Sequence, residues 1–473
     1  MIPVLALAYY IAFIPHQEYP FPVHIDEWVH MAYANAMWQA GDTTFTDPFL
    51  GQGVIGLGTP HLEAGFHVFW GAFHQISGIS WLTIFRYFPG VIFMITVLSV
   101  YIFARKQGFG WEAALFACLI PTTVGIMGPA FLVPVAMGLL FVPLALYLAF
   151  NFRSVGAYLV LFIFVAFLLS IHAPSAIIVV IVLVPYILLN LKGNFKHALG
   201  LTLALLVPFL APFPWIFSML GPTATRLLTP QVLPTYIDFP RIMLAYGYLP
   251  IGVCLLGTFL LAVRGGKKNY GLILGLLAVL VILVAYFVFQ YGLDIMYTRG
   301  LMFMMLMVSI IAGVGLAGVK DFKIPESLAS RMKVPQIVNR HAGKFLALVL
   351  VGVILAVSIP DRQDTGYYLM IDNEDYQAFI WIKENVSSDY GTAILDPWKA
   401  TAFTAITGKA AYSRTHSFPT PRDKVAEQFL ENGSGNTTFL NENKISLIYT
   451  DAEVKNPDLT EVRENVYLLE NPG

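Results

Sequence analysis

The sequence predicts a polytopic α-helical membrane protein with about eleven transmembrane helices and a small C-terminal α/β domain. Hydrophobic residues make up 57% of the 473-residue chain and charged residues only 12%. Soluble domains carry about a quarter of their residues as charged types, so this chain has too few charges to cover a water-facing surface. Polar residues concentrate in a few segments, and the last of these, from Pro360 onward, has the composition of an ordinary soluble domain.

Eleven apolar stretches have the length of membrane-spanning helices, which need about 17–25 residues to cross the hydrocarbon core. The first stretch has no basic residues before it and no small-residue cleavage site after it. We therefore interpret it as a short first span and not as a cleaved signal peptide. The predicted spans are Met1–Ile14, Ile84–Ala104, Trp111–Met127, Ala130–Phe152, Val155–Ile171, Ser175–Leu191, Leu199–Leu220, Ala245–Val263, Leu272–Tyr291, Gly300–Val319 and Lys344–Ile359.

Basic residues are distributed unevenly between alternate loops, which indicates the orientation. Lysine and arginine favour cytoplasmic loops, and the pattern fits if the first span runs outward. An odd number of spans then places the C-terminal segment outside the cytoplasm. The sequence has no long run of basic residues of the kind that binds nucleic acid. The predicted cytoplasmic loops contain Arg105, Lys106, Arg153, Lys192, Lys196, Arg264, Lys267, Lys268, Lys320, Lys323, Arg331, Lys333 and Arg340, whereas the opposite loops contain Arg86, Arg226, Arg241 and Arg299.

The domain organisation follows from this topology. Residues 1–359 form a transmembrane module with a long outer loop at 16–83, and residues 360–473 form an extracytoplasmic domain. Period-3.6 segments alternate with short β-branched runs in this domain, which is typical of a small α/β sandwich. The predicted helices are Glu374–Asn385, Lys399–Thr407 and Lys424–Leu430, and the predicted strands are Thr392–Asp396, Ile445–Thr450 and Val466–Leu469.

The most concentrated polar motif follows the first span and reads His24-Ile-Asp-Glu-Trp-Val-His30. Its adjacent carboxylates, Asp26 and Glu27, point to general-base chemistry toward an acceptor hydroxyl, or to a divalent cation held by oxygen ligands. A structural alternative is that Asp26 is the N-cap of a helix over Glu27–Gln39. His24 and His30 flank the pair and are candidate substrate or metal ligands.

The layout around this motif resembles the GT-C glycosyltransferases. The first helix is followed by an outer loop that opens with an acidic pair and continues with Ala40-Gly41, Asp47-Pro48 and Thr59-Pro60-His61. The Asp26-Glu27 pair is most similar to the Asp-Glu pair of the protein O-mannosyltransferases. The resemblance implies a sugar donor linked to a polyprenyl or dolichyl phosphate, transfer outside the cytoplasm, and Asp26 and Glu27 as catalytic residues.

Two later segments extend the resemblance. Tyr297-Thr-Arg299-Gly-Leu, followed by Gly313-Val-Gly-Leu, looks like the late GT-C helix whose arginine meets the lipid phosphate, so Arg299 is the predicted donor-phosphate ligand. A guanidinium suits phosphate oxygens, although interfacial arginines also occur at helix ends for structural reasons. The segments around Phe379, Asp396-Pro-Trp-Lys399 and Gly408–Arg414 are similar to the soluble domains of archaeal oligosaccharyltransferase-like proteins.

Two departures from the oligosaccharyltransferase pattern bear on metal dependence. Such an enzyme carries Trp-Trp-Asp-x-Gly in its soluble domain, whereas the nearest match here is Asp396-Pro-Trp-Lys399. It also carries acidic residues between its third and fourth spans, where this chain has the acid-free turn Gly125–Pro129. These departures argue against protein N-glycosylation and favour a metal-independent mechanism. No cofactor is required by the motifs, although the acidic pair is compatible with Mg²⁺ or Mn²⁺, and the metal stays unassigned.

The outer loop contains further candidate ligands. His61 and Glu63 are predicted substrate or metal ligands, and Glu63 and His67 share a helix face if the segment is helical, because they are spaced i, i+4. Polar packing at the membrane interface is the alternative for all of them.

The predicted function is glycosyl transfer by an integral, multi-pass enzyme of the cell membrane. Its partners would be a polyprenyl-phosphate-linked sugar, an extracytoplasmic acceptor (protein, lipid or glycan) and the lipid bilayer. The alternative is a polytopic transporter or lipid flippase with an extracytoplasmic domain. A coupled transporter more often places ionisable groups near mid-membrane, whereas here the acids lie at the outer boundary of nearly uncharged spans.

Overall fold

A computed structural model describes residues 1–49, 54–56, 63–123, 125, 127–212, 229, 239–331, 335–416 and 418–470. They form two compact units, each of which is discontinuous in sequence. The helical unit comprises Met1–Glu18 and Arg86–Tyr367, and the mixed unit comprises Tyr19–Phe85 and Tyr368–Gly473. This division differs from the predicted domains, because most of the predicted outer loop is grouped with the C-terminal residues.

The described elements are mostly helical. The helices are α1 (Ile2–Phe13), α2 (Ile25–Ala40), α3 (Ala64–Ser77), α4 (Trp81–Arg105), α5 (Gly110–Ala117), α6 (Pro134–Leu139), α7 (Phe141–Asn151), α8 (Val155–Ile171), α9 (Ala173–Leu191), α10 (Phe195–Leu206), α11 (Phe239–Tyr246), α12 (Tyr248–Arg264), α13 (Lys267–Phe289), α14 (Asp294–Lys320), α15 (Glu326–Arg331), α16 (Gln336–Gln363), α17 (Asn373–Asn385), α18 (Ala400–Thr407), α19 (Pro421–Glu431) and α20 (Thr437–Glu442). The strands are β1 (Phe45–Thr46), β2 (Val54–Ile55), β3 (Thr392–Ile394), β4 (Ala410–Ala411), β5 (Leu447–Tyr449), β6 (Leu459–Arg463) and β7 (Val466–Leu469).

Within the described ranges, six helical segments are long and apolar enough to cross a membrane. They are α4, α6 with α7, α9, α13, α14 and α16, and α11 with α12 adds a seventh if this pair, bent by 89°, is one span. The apolar segments Ile2–His16, Val155–Ile171 and Phe195–Leu210 are shorter. The multi-pass prediction is thus confirmed, whereas the count of eleven spans is not. Part of the predicted span Leu199–Leu220 lies outside the described residues.

The predicted span Trp111–Met127 is wrong for a local reason. Helix α5 occupies only Gly110–Ala117, and the chain then leaves helical conformation. Pro121 has no backbone N–H and disfavours helical conformation in the residue before it, so the helix cannot continue. Cys118, Leu119 and Ile120 are fully buried within the protein, which explains why the segment is apolar without being a continuous helix.

Helix α14 is the central helix of the helical unit. Every residue from Met296 to Ala317 is buried except Arg299. A Cβ atom on Gly313 would stand 2.5 Å from the backbone nitrogen of Ala113, and one on Gly315 would stand 2.1 Å from the carbonyl oxygen of Val253. These two glycines therefore allow α5 and α12 to approach the α14 backbone directly, as small residues do where membrane helices pack closely.

The C-terminal part of the mixed unit is the predicted small α/β fold. Its five-stranded sheet has the order β4-β3-β5-β7-β6, with β4, β3 and β5 parallel and the last two pairings antiparallel. Helices α17 and α19 begin with capping boxes, and α18 ends at Gly408 in the left-handed conformation. Apolar side chains from both layers form the core, including Ile394, Leu440, Ile448 and Leu469.

Hydrogen bonds join the two sequence segments of the mixed unit. The Tyr19 hydroxyl donates to the carbonyl oxygen of Ile371 at 2.8 Å, and the Tyr368 amide donates to the carbonyl oxygen of Val23 at 3.2 Å. The Phe21 ring also lies 5.2 Å from that of Tyr376. Burial at this junction raises the pKa of Tyr19 to about 12. The loop after the first helix is thus built into the C-terminal fold, which is why the compact units differ from the predicted domains.

Candidate functional site

The N-terminus of α2 determines how the acidic pair is presented. His24 is the N-cap, and its Nδ1 accepts the Asp26 amide at 3.1 Å. Glu27 completes a capping box, because its Oε2 accepts the amides of Val23 at 2.9 Å and of His24 at 3.1 Å. The interpretation of Asp26 as N-cap is therefore wrong, since an imidazole two residues earlier has that role. The helix also begins at Ile25, before the predicted start.

Asp26 and Glu27 have different environments although they are adjacent. Glu27 is completely buried, and its carboxylate satisfies two backbone amides that a helix start would leave unpaired. The Asp26 side chain is 17% exposed, and its Oδ1 lies 3.3 Å from Nε2 of His416. His24 Nδ1 is 3.9 Å from the same carboxylate, but its lone pair already accepts an amide proton. Asp26 is thus the more accessible of the two acids, and its carboxylate lies beside the ionisable imidazole of His416.

Aromatic rings of the C-terminal segment line the region around Asp26. The Tyr368 ring lies 5.5 Å from that of His24, and the Trp398 ring meets Tyr368 edge-on at 5.1 Å. Burial, followed by the Asp26 carboxylate, raises the pKa of the Tyr368 phenol. Trp398 belongs to the Asp396-Pro-Trp-Lys399 segment, the nearest match to the oligosaccharyltransferase motif. Tyr368 thus connects this segment to His24, the N-cap of α2.

One helical turn beyond Asp26, a second polar group joins α2 to the start of α3. His30 Nδ1 lies 2.9 Å from His67 Nε2 and 4.0 Å from Glu63 Oε2. Glu63 is the N-cap residue of α3, and His67 follows one turn later. The predicted i, i+4 pair therefore lies in the first turn of a helix, facing His30. His61, the other predicted ligand of this loop, lies outside the described residues.

A third residue of α2, Tyr33, lies on the same side of the helix as Asp26 and His30. Tyr33 follows Asp26 and His30 at helical spacing, and its ring meets His67 edge-on at 5.7 Å. The Arg414 guanidinium lies over the Phe49 ring at 3.9 Å. Burial and then the Asp47 carboxylate raise the pKa of Tyr33, whereas Arg414 lowers it. Arg414 and His416 thus both approach this face of α2.

Arg299, the predicted phosphate ligand, belongs to the helical unit. It is half-buried in the second turn of α14, between fully buried neighbours. Asp294 begins the same helix and accepts a hydrogen bond from the Tyr286 hydroxyl at 3.0 Å. No ion pair joins Asp294 to Arg299 in the part of the chain that the structure describes.

The structure brings together His24, Asp26 and Glu27 at one helix start and His30 with Glu63 one turn away. Sequence reasoning missed His416 and Tyr368 as neighbours of Asp26, because a separation of more than 300 residues leaves no local spacing to detect. Arg414 is the last residue of the segment Gly408–Arg414, which the sequence analysis found similar to archaeal oligosaccharyltransferase-like proteins. That similarity was the only sequence signal close to His416.

No protein-family model and no curated protein matches the chain. Two solved structures of the oligosaccharyltransferase from Archaeoglobus fulgidus are similar to it. The apo form has a TM-score of 0.61 at 11% sequence identity, and the similarity covers 95% of this chain and 69% of that chain. The complex with zinc and sulfate has a TM-score of 0.56 at 12% identity, covering 94% and 67%. The chain therefore shares the fold of this archaeal enzyme.

Proposed function

We propose that this protein is a membrane glycosyltransferase that moves a sugar from a polyprenyl-phosphate donor to an acceptor outside the cytoplasm. The observation that carries this proposal is the Asp26 carboxylate, partly open to solvent at a helix start and 3.3 Å from Nε2 of His416 in the C-terminal segment. The fold shared with an archaeal oligosaccharyltransferase supports the class of reaction. A shared fold alone does not determine chemistry, and the reaction is therefore assigned from this carboxylate.

In the proposed reaction Asp26 is the general base. It accepts the proton of the acceptor nucleophile as the acceptor oxygen bonds to the anomeric carbon of the sugar. The bond from that carbon to the phosphate oxygen breaks, and the lipid phosphate leaves with the electron pair. Base catalysis of this kind contributes roughly 10²–10⁴-fold to a rate. His416, on the same carboxylate oxygen, would fix its orientation.

Glu27 takes a positioning role in this proposal. Its buried carboxylate holds the amides of Val23 and His24, so it fixes the start of α2 from which Asp26 projects. The resemblance implied a catalytic role for Glu27, but its hydrogen bonds go to the protein backbone, so this proposal gives it no contact with substrate.

Arg299 would hold the donor phosphate. A half-buried guanidinium near a helix end offers a permanent positive charge and a planar set of donors to phosphate oxygens. It would also stabilise the negative charge that grows on the leaving phosphate. The sulfate and zinc bound by the archaeal enzyme support an anionic group, and a divalent cation, as ligands of this fold.

The test is a transfer assay on the full chain in lipid nanodiscs, with a panel of polyprenyl mono- and diphosphate sugars and soluble hydroxyl acceptors. We expect product with at least one donor and a loss of roughly 10²–10⁴-fold in the Asp26→Asn variant. Asp42→Asn, in the exposed turn after α2, is the matched control and should retain activity. Equal turnover by wild type and Asp26→Asn would remove Asp26 as base.

A further inference from the structure

Three potential metal ligands converge between α2 and α3, one helical turn beyond Asp26. His30, Glu63 and His67 each offer one ligand atom, and these atoms all lie within 4.8 Å of one another. We propose that they bind one transition-metal ion of the zinc class. The inference depends on this group alone and does not require glycosyl transfer.

The observed spacing is close to what such an ion requires. Zinc binds imidazole nitrogen and carboxylate oxygen at about 2.0–2.2 Å in a tetrahedron, so neighbouring ligand atoms stand about 3.3 Å apart. Here the two ring nitrogens are 2.9 Å apart, and His30 Nδ1 is 4.0 Å from Glu63 Oε2. If side-chain rotation moved these ligand atoms by a few tenths of an ångström to about one ångström, their separations would match those around a bound zinc ion.

The donor set selects the kind of ion. Two imidazoles and one carboxylate suit zinc and its first-row neighbours, whereas Mg²⁺ prefers near-octahedral oxygen ligands and retains water. In the metal-free group, one ring nitrogen donates its proton to the other. Each imidazole must be neutral, with a lone pair toward the metal, so binding would move that proton to the opposite ring nitrogen or release it.

Among the described residues, the surrounding packing holds the ligands in place and leaves Glu63 partly exposed. The His30 ring meets Phe66 edge-on at 4.9 Å, and His67 is 1% exposed beside Tyr33. The Glu63 side chain is 36% exposed and makes no capping bond to α3. His67 also lines a cavity of about 460 Å³ between α2 and α3. Three protein ligands with an open side are the arrangement of zinc sites that retain a water or substrate position.

The test measures zinc bound by the full chain in detergent, purified without a histidine tag, after equilibrium dialysis and elemental analysis. We expect one zinc per chain, retained in the presence of millimolar Mg²⁺. Glu63→Gln and His67→Gln should each weaken binding at least tenfold. His74→Gln is the matched control, because His74 lies on the same helix and hydrogen-bonds the carbonyl of Ile79 instead.

The Glu63→Gln variant should fold normally, because the substitution alters a partly exposed side chain without changing its shape. A thermal melt would confirm that it is folded, so a loss of zinc binding could not be attributed to unfolding. Cobalt(II) provides a second readout, because a site of this kind gives the intense visible absorption of tetrahedral cobalt. Wild-type protein that binds no stoichiometric zinc, or unchanged binding in both variants, would overturn the inference. Zinc binding is measured without any sugar donor, so its failure is distinguishable from a failure of the transfer assay.

Discussion

Nε2 of His416 lies 3.3 Å from Oδ1 of Asp26, so a residue near the end of the chain contacts the carboxylate that follows the first helix. Both residues belong to the mixed unit, which combines these two parts of the sequence. The chemical environment of Asp26 is consequently incomplete in either segment alone.

Replacing His416 with alanine should lower transfer while leaving stability nearly unchanged. The imidazole is 53% exposed, so its removal creates no cavity, and surface substitutions usually change the free energy of unfolding by less than about 0.5 kcal/mol. An exposed charged pair contributes about 0.2–1 kcal/mol, which corresponds to a loss of turnover of up to about fivefold. The measurement is kcat beside a thermal melt, with exposed His341→Ala as the control. Full activity in His416→Ala would exclude a role for this contact.

Glu27→Ala should destabilise the fold more than any conservative change at Asp26. It leaves two buried amides, those of Val23 and His24, without their acceptor, at a cost of about 2–3 kcal/mol. Glu27→Gln retains an acceptor oxygen and should cost about 1 kcal/mol. Thermal melting in detergent measures both. Normal melting combined with abolished transfer would instead indicate that Glu27 acts on substrate.

Arg299 variants should change donor affinity in proportion to the phosphate contacts that they remove. Arg299→Lys retains the charge but loses the planar set of donors, so binding should weaken without vanishing, and Arg299→Ala should weaken it further. The losses should be similar for donors that differ only in the sugar. Affinity is measured on the folded fraction by titration with a polyprenyl-phosphate sugar, with Arg264→Lys as the control. Unchanged affinity in both Arg299 variants would leave a structural role only.

Cysteine labelling tests the predicted orientation. Native Cys118 and Cys254 are buried, so the background reaction with an impermeant thiol reagent should be low. Cysteines introduced at exposed Asp42 and Gly435 should react in intact cells, whereas one at exposed Lys323 should react only after permeabilisation. Gly435 has open space where a Cβ would be placed, so the substitution is tolerated. Labelling of the Lys323 position in intact cells would reverse the topology.

Two glycines of α12 should respond oppositely to alanine. A Cβ on Gly257 would stand 2.1 Å from the carbonyl oxygen of Ile311 in α14, and backbone atoms cannot yield cheaply. Gly257→Ala should therefore destabilise the helical unit by about 1–3 kcal/mol. Gly252 has nothing within 4 Å of that position, so Gly252→Ala should be neutral or stabilising by up to about 1 kcal/mol. A thermal midpoint that moves in the same direction for both variants would contradict this packing.

Local patterns in the sequence predicted the local structure well. The helix after His24, the long helix containing Arg299, and strands such as Val466–Leu469 follow from hydrophobic periodicity, which acts within a few positions. The spacing of Glu63 and His67 likewise indicated one helical turn. These features depend on interactions whose participants are close together in sequence.

The features that were missed depend on distant partners. Apolarity of the segment after Trp111 reflects burial under other helices, and composition alone does not distinguish burial in protein from exposure to lipid. The cap of α2 is a histidine, which is not among the preferred capping residues, so Asp26 was the natural but incorrect choice. The position of His416 depends on a fold that brings together residues far apart in the chain.

The mixed unit is formed by two segments that are far apart in the sequence, and this affects how the protein is synthesised. Its first segment ends at Phe85, and its second begins at Tyr368, so the intervening residues must be synthesised before the two can pair. At about 5–20 residues per second, this interval lasts roughly fifteen seconds to one minute. Throughout that time the nascent first segment lacks the partners of Tyr19, Val23 and Asp26. A chaperone or a membrane-biogenesis factor that shields this segment would therefore protect newly made chains from proteolysis, and truncation before Tyr368 should send them to degradation.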